Sequence, residues 1–187
     1  MLTSHLLRGK KVRLTALEPR DLRILASWYE SADFMRRWDA APAMPKTEQQ
    51  VADYVSDQQK SKSAFVFAIR PLDQDDMIGY IELDGIVWSQ GAGWVSVGIG
   101  DPVQRGKGIG EEAMRLLLQF AFDELNLRRV QLTVFSYNDP AIRLYEKLGF
   151  QREGTFREFL QRDGQVFDMY LYGILRREWR GGQASSG

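Results

Sequence analysis

Between Arg105 and Gly110, Gly106 and Gly108 alternate with Lys107 and Ile109, and a helical pattern begins at once. Glycines bare backbone N–H groups, and a helix N-terminus adds partial positive charge, so such a turn can cradle phosphate. Three phosphate-binding patterns compete for it. A P-loop needs a Ser or Thr hydroxyl after its lysine, and Gly108 stands there instead. Gly108-Ile-Gly110-Glu-Glu-Ala113 fits the string of a dinucleotide turn, but the next strand ends at Phe135-Ser136 without the acid that would hold a ribose. The pattern Arg-x-x-Gly-x-Gly, met by Arg105, Gly108 and Gly110, needs neither and describes a nest for a pyrophosphate. The purely structural alternative is a helix-entry turn whose glycines serve tight packing.

Further chemistry-bearing residues lie on either side. Downstream, Asn138-Asp-Pro opens a short helix with Pro at its first position; Gly149 closes it, and Tyr145 shares a stripe with Ala141, Leu144 and Leu148. Upstream, Glu82 alternates with Tyr80 and Asp84 along one side of the segment IGYIELDG, and its bland reading is an exposed strand residue. Asp84, Asp101 and Asp168 are weaker candidates for acid–base work. Gly98 and Gly100, in and beside the strand WVSVGI, suggest that something comes close to that backbone.

The elements that must position these groups read in the order β-α-α-β-β-β-α-β-α-β-β. Strands are expected at Lys11–Ala16, Ala64–Ile69, Met77–Leu83, Trp94–Ile99, Val130–Phe135, Phe150–Leu160 and Gln165–Leu175, with Gly164 turning the last hairpin. Helices are expected from Glu18 to about Ser31, from Thr47 to about Gln59 with a Thr47/Gln50 capping box, from Gly110 to Leu125, and after Asn138. Hairpins mixed with crossover helices imply a mixed sheet in an α/β or α+β domain. One domain is expected over residues 1–180, followed by a flexible tail, 181–187.

Composition removes several classes. With 25 Lys plus Arg against 25 Asp plus Glu there is no bulk pull toward nucleic acid or membrane. The absence of cysteine excludes disulfides, thiolate metal sites and a cysteine nucleophile, and a single histidine, His5, cannot build a multi-histidine metal site. No apolar run reaches the ~20 residues of a membrane span, and MLTSHLLRGKK lacks the apolar core of a signal peptide. A cytoplasmic protein without a metal is the expectation.

Together, QRGKGIGEEA and N-x-x-A-I-x-L-Y-E-K-L-G-F, followed by EGTFR and DGQVFDMYLYGIL, resemble the GNAT superfamily of acetyl-CoA-dependent N-acetyltransferases. The likeness runs from about Lys11 to Trp179 and is greatest to the branch of ribosomal-protein alanine and spermidine N-acetyltransferases. It implies a twisted, mostly antiparallel sheet of about seven strands flanked by about four helices. It implies that acetyl-CoA is the cosubstrate, its pyrophosphate held by the backbone of Gln104, Arg105, Gly106, Lys107, Gly108, Ile109 and Gly110. Val97, Gly98 and Ile99 would pair with the pantetheine arm, and Asn138 would contact it. Arg143 is either a coenzyme-phosphate ligand or a solvated arginine. Tyr145 matches the tyrosine that protonates the departing thiolate, and Glu82 is the chosen base, or else a ligand for a cationic acceptor. The acceptor would be a primary amine: a protein N-terminus, an amino acid or a small amine. The segment WDAAPAMPKT carries only Asp39, which argues against a polyamine. The alternatives are a polyamine acetyltransferase and a non-catalytic acyl-CoA-binding module. A homodimer through the C-terminal strands is a further implication.

Overall fold

The computed structural model describes residues 5–181. Of the expected tail only Gly181 falls within them; the rest of 181–187 lies outside the described residues. Seven strands form one sheet in the order β1-β2-β3-β4-β5-β7-β6. They are β1 (Val12–Thr15), β2 (Phe65–Pro71), β3 (Gly79–Val87), β4 (Ala92–Ile99), β5 (Arg129–Phe135), β6 (Gln151–Arg162) and β7 (Gln165–Leu175). Every neighbouring pair is antiparallel except β4 and β5. At the β6–β7 turn Asp163 and Gly164 both have positive φ, 51° and 74°, the backbone of a tight two-residue hairpin.

Among the described residues five α-helices flank the sheet: α1 (Pro19–Trp28), α2 (Ala32–Trp38), α3 (Glu48–Lys60), α4 (Ile109–Gln119) and α5 (Asp139–Leu148). Thr47 and Gln50 form the expected capping box at α3. The expected first helix, Glu18 to about Ser31, is α1, which ends at Trp28, and α2 beyond it is an element the sequence reading did not place. Ser31 does not end a helix; its hydroxyl accepts from Phe34 N at 3.2 Å and starts α2.

Strand alternation sorts the apolar residues into two cores, one on each face. On one face Val66, Ala68 and Tyr80 pack with Leu25, Trp28, Phe34, Met35, Val51 and Val55 from α1, α2 and α3. On the other, Ile69, Ile81, Leu83 and Val95 pack with Met114 and Leu117 of α4 and Leu148 of α5. The first face also holds the one fully buried ion pair among the described residues. Arg70 of β2 meets Asp21 of α1 through two hydrogen bonds, 2.6 and 2.9 Å, with both side chains at most 1% exposed.

The groups that come close to Gly98 and Gly100 are the chain's own tryptophans. A Cβ on Gly98 would lie 2.9 Å from the Trp38 ring, and one on Gly100 would lie 1.9 Å from Trp28. The tip of the β6–β7 hairpin straps α2 and the loop behind it. Arg36 makes a bidentate pair with Asp163 at 2.7 and 2.8 Å, Arg162 donates to the Asp39 carbonyl at 2.9 Å, and Tyr137 OH donates to the Arg36 carbonyl.

Candidate active site

The parallel pair is where the sheet opens. Cα pairing of β4 with β5 ends at Trp94↔Gln131, after three residue pairs. Beyond it β4 stays with β3 as far as Ile99↔Gly79, and β5 stays with β7 as far as Phe135↔Met169. The backbone of β4 from Val95 onward therefore has no strand on its β5 side, and a cavity of about 570 Å³ fills the split. That volume suits a cofactor or drug-sized ligand.

The walls come from both cores. Phe34 and Trp38 contribute from the α1–α3 face, and Ala141, Leu144 and Tyr145 from α5 on the other. The cavity thus passes through the plane of the sheet. Trp38 is held by Phe34, stacked at 5.8 Å, and by the edge of Tyr80 at 5.6 Å.

At one end lies the glycine turn. Gly106 and Gly108 have φ of 74° and 78°, so L-residues with side chains would be strained there. Gly108 is the N-cap of α4, which starts at once. Val97, Gly98, Ile99, Gln104, Arg105, Gly106, Gly108, Ile109, Gly110, Asn138, Arg143 and Tyr145 of the sequence reading all line this one cavity. Lys107 and Glu82 do not. The Arg105 side chain turns to the Ile99 carbonyl, 3.1 Å, and to Asp33, 2.6 Å, so it braces the turn. Arg143 is exposed and reaches the cavity rim. The charged lining is Arg37, Arg105, Arg143 and Lys147 against Glu111. Glu111 is already neutralised by Lys147 at 2.6 Å and Arg115 at 3.1 Å. Free N–H groups at a helix N-terminus, left-handed glycines and a cationic rim are the donor set a pyrophosphate needs.

Tyr145 is 7% exposed, and burial pushes its hydroxyl up to about 12. It is a protonated donor at every working pH. Glu82 corrects the sequence picture of an exposed strand residue, because α1–α3 cover that face of β3. Glu82 is 5% exposed. Tyr80 OH donates to its Oε2 at 2.8 Å and Tyr54 OH at 3.0 Å. Among the described residues none donates to Oε1. Burial pushes Glu82 up to about 7; the Asp84 charge pushes the same way, and the two tyrosine hydroxyls pull against it. Tyr54 and Tyr80 are driven well above the usual phenol value by burial and by the Glu82 charge. Asp84 is raised by burial.

Ser96 is the residue that sequence reading missed. It pairs directly with Glu82 across β3–β4, so the two side chains share a face, and it lines the cavity that Glu82 does not. The signal was available: once β3 and β4 are placed in register, Ser96 is the only hydroxyl in WVSVGI. Trp38 and Trp94 line the cavity, whereas Trp28 is core and Trp88 is half exposed.

The sheet is parted between two parallel strands, and a glycine turn enters a helix at the split, beside the cavity. Residues 11–151 match the family described as acetyltransferase (GNAT) domain, and the chain belongs to that family. It is 31% identical over 171 residues to the SPbeta prophage-derived uncharacterized N-acetyltransferase YokL of Bacillus subtilis (strain 168), covering 91% of this chain and 93% of that one. It is 27% identical over 186 residues to the [ribosomal protein uS5]-alanine N-acetyltransferase of Escherichia coli (strain K12), covering 92% and 95%. Among solved structures, spermidine N-acetyltransferase from Vibrio cholerae in complex with CoA and spermine superposes with a TM-score of 0.81 at 24% identity, covering 89% of this chain and 96% of that one. The protein is an N-acetyltransferase.

Proposed function

We propose that this N-acetyltransferase moves the acetyl group of acetyl-CoA directly to a primary amine, an N-terminal peptide, amino acid or small amine. The observation that carries the reading is the cavity through the sheet. It offers a pyrophosphate cradle at one end and both faces of the parted strand at the other. Acetyl-CoA supplies an activated acyl carbonyl on a thiol leaving group.

The residues divide the remaining work. The turn Gln104–Gly110 holds the pyrophosphate, and the unpaired edge of β4 from Val97 to Ile99 pairs with the pantetheine arm, with Asn138 beside it. On the α1–α3 face Glu82 accepts the amine proton by way of the Ser96 hydroxyl. A base near pH 7 suits this, because an α-amino acceptor, with a pKa near ~8, must lose a proton before it attacks. On the α5 face Tyr145 donates a hydrogen bond to the sulfur as negative charge develops there. A phenol near 12 is a weaker acid than a thiol near ~8.5, so Tyr145 stabilises the thiolate more than it protonates it. Tyr145→Phe should therefore lower kcat by about 10- to 100-fold, the worth of one hydrogen bond to a charged group, with little change in acetyl-CoA affinity. Full kcat in that variant would remove Tyr145 from the chemistry.

The aromatic wall of Phe34, Trp38 and Trp94 favours an acceptor with an apolar flank. A second reading, a polyamine acceptor, has its own observation. The Lys46 ammonium sits 4.4 Å over the Tyr29 ring, and the Tyr29 hydroxyl is pushed up to about 12 by burial and by the charges of Glu82 and Asp39. Lys46 already fills that cation site, and neither residue lines the cavity, so the first reading is the favoured one. Thiol release from acetyl-CoA, measured across peptides, amino acids, small amines and polyamines, decides between them. Preference for a peptide or amino acid supports the first reading, and preference for spermidine supports the second. Silence with acetyl-CoA bound would leave a binding module.

A further inference from the structure

Two side chains outside the reaction scheme hold the glycine turn from behind. Glu112 stands in the first turn of α4, and its carboxylate takes no part in lining the cavity. Oε1 accepts from Lys10 N at 2.9 Å, and Oε2 accepts from Lys11 N at 2.7 Å and Val12 N at 2.8 Å. Three consecutive amides thus close around one carboxylate. Gly9 leaves the room for it, since a Cβ there would lie 2.6 Å from the Glu112 carboxyl carbon. The same segment sends the Lys11 ammonium to the Lys107 carbonyl at 2.9 Å, just beside Gly108.

The consequence follows from the peptide bond. In a planar trans peptide the carbonyl of residue 107 and the N–H of residue 108 point in opposite directions. A Lys107 carbonyl held outward by Lys11 aims the Gly108 N–H inward, and Gly108 lines the cavity whereas Lys107 does not. Without that hold, the Lys107–Gly108 peptide can flip at little steric cost, because the flip changes φ of Gly108, 78° here, and glycine takes either sign of φ.

We infer that Lys11 and Glu112 are positioning residues for the pyrophosphate site: Lys11 aims the Gly108 N–H by holding the Lys107 carbonyl, and Glu112 clamps the Lys11 backbone to the first turn of α4. The inference rests on the reading of this turn as a coenzyme A site. Glu112 separates it from simple electrostatics, whereas loss of the Lys11 charge weakens an anion on either account. Removing a negative charge beside a phosphate site should tighten an anion by Coulomb attraction alone. Loss of positioning should weaken it.

Calorimetry with CoA as the titrant, on wild type, Glu112→Gln, Lys11→Met and Gly9→Ala, tests it. Each variant is expected to bind CoA about 10-fold more weakly. Lys11→Met, at an exposed position, should do so with an unchanged melting temperature, and Lys11→Arg should recover part of the loss. CoA binding by Glu112→Gln as tight as wild type or tighter would overturn the inference. So would Lys11→Met within 2-fold of wild type, a result that stands even if Glu112→Gln does not fold. Failure of the wild type itself to bind CoA would instead sink the reading of the turn, and this inference with it.

Discussion

Glu82→Gln is expected to lower kcat by about 10²- to 10⁴-fold, the range general-base catalysis contributes. The substitution keeps the shape of the site. A glutamine carbonyl still accepts from Tyr80 and Tyr54, so the melting temperature should not fall. The pH profile is the sharper readout. Below neutrality kcat/KM of the wild type should rise with pH through two ionisations: Glu82 near 7 and the free amine of the acceptor. In Glu82→Gln only the acceptor's ionisation should remain. A variant that keeps wild-type kcat and both limbs would show that water alone handles the proton. Stability carries the same signature. The folded-state pKa of Glu82 lies above its ordinary 4.5, so the native state binds this proton more tightly than the unfolded chain does. The corresponding stabilisation is fully present below about 4.5 and is lost as pH rises through about 7. Glu82→Gln should lose that part of the pH dependence.

Asp21→Ala should cost about 3–5 kcal/mol, the penalty for leaving one partner of a buried ion pair alone. Arg70 would keep its bonds to the Thr15 hydroxyl, 2.8 Å, and the Asp75 carbonyl, but its charge would be uncompensated at 1% exposure. Asp21 also accepts from Glu18 N at 2.8 Å and so fixes the start of α1. Against a typical stability of ~5–15 kcal/mol this is a large fraction, and the melting temperature should fall by about 10 °C. Replacing both partners, Asp21→Leu with Arg70→Met, should recover much of the loss, because no charge is then buried. A melting temperature of Asp21→Ala within 2 °C of wild type would show that water reaches Arg70 easily.

The sequence revealed more of the sheet than of the acceptor side. All seven strands and the Gly164 turn were legible because alternation and turn residues are local signals. The seven-residue α2 was not: Phe34, Met35 and Trp38 are too few to set a period, and Ser31 can serve as a stop as well as a cap. The glycine turn and Asn138–Gly149 were legible as motifs, and the structure brings them to one cavity. The burial of Glu82 was not, because alternation says which residues share a face and not whether helices cover it. Gly98 and Gly100 did mark a close approach, but periodicity could not say that Trp38 and Trp28 make it. The Lys11–Lys107 and Glu112–Val12 contacts join segments about a hundred positions apart, beyond the reach of any local pattern.

The strap across α2 has a consequence for how the enzyme comes into being. A chain is made from its N-terminus at roughly 5–20 residues per second, and its parts become available for packing in that order. The glycine turn, α4, Asn138 and Tyr145 all emerge before the β6–β7 hairpin. Arg36 and the Asp39 carbonyl, which hold Trp38 and the loop behind it, must wait for Arg162 and Asp163. The Trp38 side of the cavity is thus strapped down by strands made after the glycine turn has all its residues. A nascent chain stalled short of the hairpin would hold every residue of the glycine turn, yet would lack both the strand that pairs with β5 and the strap on α2.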